Sequence, residues 1–87
     1  MSKPNHYHAL KAVLEAGTLA SIRDISLIVP ITTLTRDMKL NYNTISKRIL
    51  DPARFTVADI YRLAKLTGVG PDRWLDQIGR EIDKRRG

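Results

Sequence analysis

Between Asn41 and Arg48 the chain reads Asn-Tyr-Asn-Thr-Ile-Ser-Lys-Arg. On a helix, Ile45 and Ile49 fall on one face, and Asn41, Asn43, Thr44, Lys47 and Arg48 are left for the others. These types share one chemistry. An Asn amide pairs with the donor and acceptor of an adenine edge, Lys or Arg pairs with the guanine acceptors, and Thr meets a thymine methyl or a phosphate oxygen. The same pattern also describes an amphipathic helix that only faces water. What surrounds the helix must decide between them.

Charge is the first such context. The net charge is +6 and the sequence pI about 10.1, a balance that suits nucleic acid or an anionic membrane. Its placement is uneven. Arg36, Lys39, Lys47, Arg48 and Arg54 face only Asp37 and Asp51 in that stretch, so half of the net charge sits in under a quarter of the chain.

Other chemistries lack their residues. The chain has no cysteine, hence no disulfide and no thiolate metal site. His6 and His8 do not share a helix face and have no third ligand nearby. Gly68-Val69-Gly70 follows no strand and reads as a helix stop and restart rather than a phosphate loop. Asp24, Asp37, Asp51, Asp59 and Asp72 fall at caps, turns and solvated faces, with no carboxylate pair set for acid–base work. An enzyme is not expected, and neither a cofactor, a metal nor a small-molecule ligand is implied. The polar start, Met1 to His8, lacks the apolar core of a signal peptide. The longest apolar run, Leu27 to Ile31, is too short to span a bilayer. A cytoplasmic, nucleoid-associated protein with no membrane partner is the expectation.

The elements that position Asn41–Arg48 are helical throughout. No Asn-Gly or Asp-Gly hairpin signal occurs, and apolar residues recur at helical spacing. A first helix runs from about Asn5 to Ala16 on Leu10, Val13 and Leu14, and Gly17 stops it. A second opens at Ser21, with Asp24 as a weak capping box, buries Ile22, Ile25, Ile28 and Val29, and ends before Pro30. A third spans Ile31 to Met38 with Leu34 and Met38 on one face. After a tight Lys39-Leu40 turn a fourth starts at the N-cap Asn41. Asp51 to Arg54 is a turn. A fifth helix is capped by Thr56 with Asp59 at N3, stapled by Phe55 onto Ile60, lined by Ile60, Leu63, Ala64 and Thr67, and closed by Gly68. A sixth restarts at Gly70-Pro71 with Trp74, Leu75, Ile78 and Ile82 inward, Trp74 packing near Tyr61 and Leu75. The fold class is therefore all-α, a compact bundle of five to six helices in a single domain over residues 1–87.

Two short helices joined by a tight turn match helix-turn-helix geometry over residues 31–50. The run ITTLTRDMKLNYNTISKRI followed by DPARFTVADIYRLAKLTGV resembles the Cro and repressor (Xre-type) helix-turn-helix family, through Thr44-Ile45-Ser46-Lys47 and Leu63-Ala64-Lys65-Leu66-Thr67-Gly68-Val69. The resemblance covers residues 21–78. It departs at Ile31, where the family often carries Gln, at Thr35 in place of a small Ala, and at Lys39 in place of the turn glycine. Lys39 would then have to take a left-handed backbone.

The resemblance implies a lambda-repressor-like domain that binds double-stranded DNA as a small transcriptional regulator, with repression as the expected role. Asn41, Asn43, Thr44 and Lys47 would read bases from a recognition helix over 41–50. Tyr42, Arg36, Arg48 and Arg54 would touch phosphates. A homodimer would place two such helices about one duplex turn apart on a near-palindromic site. Trp74, Ile78 and Ile82 on the last helix are the candidate dimer face, with Trp74 alternatively core. The short basic tail 84–87, with Lys84, Arg85 and Arg86, reads as solvated charge or a further phosphate contact. The alternative from another class is a protein-interaction module, antitoxin-like or adaptor, on the same fold.

Overall fold

The computed structural model describes the backbone of residues 6–86 and the side chains of residues 6–84. Asn5 and the side chains of Arg85 and Arg86, named above, lie outside the described residues. Among the described residues six α-helices follow one another: α1 (His6–Ala16), α2 (Ile25–Ile28), α3 (Ile31–Met38), α4 (Tyr42–Leu50), α5 (Val57–Thr67) and α6 (Pro71–Arg86). Short 3-10 turns at Ile22–Asp24 and Pro52–Arg54 lead into α2 and out of α4. No strand occurs among the described residues.

The helix ends follow local chemistry. Gly17 (φ +72°) and Gly68 (φ +76°) adopt the left-handed conformation that stops α1 and α5. Thr56 and Asp59 form the expected reciprocal box at the start of α5, each side chain taking the other's backbone N–H at 3.0–3.1 Å. Lys39 is the only described non-glycine residue with positive φ (φ 57°, ψ 41°). It closes α3 and reverses the chain within three residues, so that α4 packs back against α3.

One hydrophobic cluster unites all of this. Leu10 and Leu14 from α1, Ile22, Ile25 and Val29, Leu34 and Met38, Ile45 and Ile49, Ile60 and Leu63, and Trp74 and Ile78 are all buried in it. The helix α5 lies at the centre, packed on α1, α3 and α6. Burial of such side chains contributes roughly 1.5–3 kcal/mol each and is the main force holding α4 in place.

The last helix departs from expectation in several ways. Trp74 is fully buried, and its indole N–H points at Thr67 Oγ1 across 3.4 Å. Leu75, expected inward, is 54% exposed, and Tyr61, expected beside Trp74, is 61% exposed. Leu75 lies outside the buried stripe 74, 77, 78, 81 of α6, in which two polar residues stand instead, and Tyr61 faces outward from α5. Gln77 donates to Leu19 O at 3.2 Å and to Glu81 Oε2 at 3.0 Å. The Glu81 carboxylate accepts from Ile22 N at 2.9 and 3.0 Å and from Ser21 Oγ at 3.1 Å. A helix start leaves backbone N–H groups without partners, and Glu81 supplies one from across the molecule. The expected Ser21–Asp24 box is not formed, since Ser21 Oγ accepts from Arg23 N instead.

The same burial corrects the expected dimer face. Trp74 and Ile78 are consumed by the chain's own core, and Ile82 is half-buried against it. Trp74 and Ile78 therefore present almost nothing to a second copy.

Candidate nucleic-acid interface

The surface of α4 is set by what its opposite side buries. Ile45 and Ile49 anchor the inner stripe, which turns Tyr42, Asn43 and Lys47 to solvent and leaves Thr44, Ser46 and Arg48 half-buried at the flanks. Tyr42 is 57% exposed at the first turn. Asn43 and Lys47, four residues apart, share one exposed face.

Each end of α4 is fixed. At its start, Asn41 Oδ1 accepts from Thr44 N at 2.8 Å. This cap engages the carbonyl that a bidentate adenine contact would use, so Asn41 serves the helix before it serves a base. At its end, Asp51 N donates to Lys47 O at 2.9 Å, and the chain passes into the Pro52–Arg54 turn that packs on α4.

Arg48 is placed differently from expectation. It lies next to the buried stripe, its side chain only 22% exposed, and its Nη1 donates to Asp59 Oδ2 at 2.5 Å. Asp59 is itself buried and caps α5 through Thr56 N. The pair therefore clamps α4 to the start of α5. Arg48 is a fixed cation inside the structure rather than a loose one reaching outward. The second partner of Asp59 was not foreseeable from the cap alone, because it stands eleven residues upstream.

The other expected phosphate contacts remain at the surface. Arg54 is 63% exposed in its side chain, with Nε 3.3 Å from Asp51 Oδ2. Arg36 is 72% exposed, with Nε donating to Asp37 Oδ1 at 3.1 Å. That hydrogen bond, with the charge of Asp37, holds the guanidinium above its ordinary pKa. Asp37 Oδ2 accepts from Tyr7 OH at 2.5 Å. Partial burial and this hydrogen bond push the Tyr7 phenol well above its usual range. A line of contacts thus runs from α1 through Asp37 to Arg36, and no spacing in the sequence signals it.

Thr44, Lys47, Arg48 and Arg54 line an open depression of about 360 Å³ between α4 and the Pro52–Arg54 turn. Three of these four residues are cationic and none is acidic. Among the described residues no group of three or more His, Cys, Asp or Glu stands close enough to hold a metal ion. No described helix is long and apolar enough to cross a membrane.

Comparison with protein-family models, with characterised proteins and with solved structures finds no match to this chain.

Proposed function

We propose that this protein is a small DNA-binding regulator in which α3 and α4 form a helix-turn-helix and α4 enters the major groove. One observation carries the reading. A short helix, pinned at both ends and along its buried stripe, presents Tyr42, Asn43 and Lys47 outward beside a depression lined by Thr44, Lys47, Arg48 and Arg54, of which Arg48 and Arg54 are paired with Asp59 and Asp51. Rigid placement of short polar side chains is what direct reading of base edges requires, and cations flanking them supply the sequence-independent attraction to phosphates. Association as a homodimer on a near-palindromic site belongs to the same proposal. So does repression by occupation of a promoter.

Selection from a randomised duplex library with purified protein at near-physiological salt tests it. Enrichment of a motif with two half-sites about one turn apart supports a dimeric operator reader. Binding without an enriched motif replaces that reading with a backbone-driven one. Absence of binding leaves the second reading, a protein-interaction module. That alternative draws on the outer face of α5, where Val57 is 70% and Tyr61 61% exposed.

A further inference from the structure

We infer that the outer face of α5 docks a short acidic segment of another protein. An apolar side chain of that segment sits beside Val57 and Tyr61, and its carboxylates meet Arg62 and Lys65. The second reading above draws on the same face, but the inference holds beside either reading, because it asks nothing of α4.

Helical periodicity builds the face. Asp59, Ile60, Leu63 and Thr67 are buried, which turns Val57, Ala58, Tyr61, Arg62 and Lys65 outward. Val57 and Tyr61 stand one turn apart at 70% and 61% exposure. Ala58, Tyr61, Arg62 and Lys65 line an open depression of about 320 Å³, in which the short Ala58 side chain leaves room beside its longer neighbours.

The cations of this face are uncommitted. Arg36, Arg48, Arg54 and Arg80 each hold a carboxylate. Among the described residues neither Arg62 nor Lys65 has an ion pair or a side-chain hydrogen bond. The one acid of α5, Asp59, lies on the buried side and is taken by Arg48 and by Thr56 N.

Charge selects the occupant. A second copy laid face to face would bring two Arg62 and two Lys65 side chains together with no acid between them, and like charges across an interface are costly. Val57 and Ala58 gain nothing from a phosphate backbone, which argues against a nucleic acid. One valine and one tyrosine bury too little apolar area to hold a bilayer surface. An acidic segment with an apolar side chain satisfies both halves of the face. A contact confined to one helix face is small, so the complex is a transient one.

A displayed library of random twelve-residue peptides, selected on the full chain at about 0.1 M salt without DNA, tests the seat. Enrichment of peptides that combine Asp or Glu with a large apolar residue is expected. A synthesised enriched peptide should shift the amides of residues 57–65. It should bind about tenfold more weakly to Arg62→Gln/Lys65→Gln, the loss of two exposed ion pairs, and to Tyr61→Ala, the loss of an aromatic anchor. Arg23→Gln/Lys84→Gln removes the same charge elsewhere on the surface and should bind within about twofold of the parent. Unchanged urea midpoints show that the variants are folded.

No enrichment, enriched peptides without acids, or equal weakening in the two double variants overturns the seat. A parent dimer that becomes monomeric in Tyr61→Ala gives the face to a second copy, and duplex or anionic-vesicle binding lost in Arg62→Gln/Lys65→Gln gives it to phosphates; each of these overturns the seat too. The two proposals fail separately. Duplex binding without peptide enrichment removes the seat and leaves the proposed function, and peptide binding without duplex binding does the reverse.

Discussion

Arg48 reaches across from α4 to Asp59 at 2.5 Å, and Asp59 in turn accepts from Thr56 N at 3.0 Å. One carboxylate thus serves as helix cap and as the counter-ion of a poorly solvated guanidinium. Removing one member of such a pair leaves the other charge stranded. Asp59→Ala should lower stability by roughly 2–4 kcal/mol, from the lost cap together with the stranded Arg48. Urea unfolding measures it directly. A loss under about 0.5 kcal/mol would mean that the clamp contributes nothing in solution.

Asn43 offers the most direct test of sequence reading, because it is exposed on α4 and its side chain is not the helix cap. Asn43→Ala should cost roughly 1–3 kcal/mol at one base position and little on random duplex. Parallel binding curves on the selected site and on single-base variants of it report this. Loss of the same size on all sequences would take Asn43 out of the reading set.

Lys39 holds a left-handed backbone at φ 57°. An L-residue pays roughly 1–2 kcal/mol there, and glycine escapes that strain while losing some chain entropy. Lys39→Gly should therefore stabilise the protein by about 0.5–1 kcal/mol, read as a higher urea midpoint at unchanged slope. A lower midpoint would show that the Lys39 side chain contributes more than its backbone costs.

Tyr7 and Asp37 give a pH-dependent prediction. Burial and the hydrogen bond to Asp37 raise the phenol's pKa in the folded chain, so folding favours its neutral form. The stabilisation is complete below the unfolded value of about 10 and is lost as pH rises through the folded value above it. Tyr7→Phe should cost about 1 kcal/mol at neutral pH, and the gap between the two proteins should narrow from about pH 10 upward. A gap that stays constant to pH 11 or beyond would separate the bond from the titration.

The features legible in the sequence are those whose causes are local. Gly17 and Gly68 end helices because of their own backbone freedom, Thr56 and Asp59 cap each other three residues apart, and Lys39 takes the left-handed turn that the spacing demands. The inward stripe of α4 also follows directly from Ile45 and Ile49. What a distant partner decides is not legible in the sequence. Gln77 and Glu81 look like solvent positions until Leu19 O and Ile22 N, nearly sixty residues away, require donors and acceptors. Arg48 looks like an outward cation until Asp59 is folded against it. Trp74 and Ile78 suit an interface by type, yet the chain has already used them. Ile78→Asp would consequently report on folding and not on pairing.

The Glu81 cap has a consequence in time. Ile22 N–H waits for a carboxylate located 59 residues later. At synthesis rates of about 5–20 residues per second, that interval lasts roughly 3–12 s, long against the microseconds in which helices form. During it the segment around Ile22 has its apolar residues but lacks the acceptor that completes its first turn. The nascent chain therefore spends seconds with the Ile22 N–H unmatched by Glu81, and that helix start is finished only when the last helix of the chain has been made.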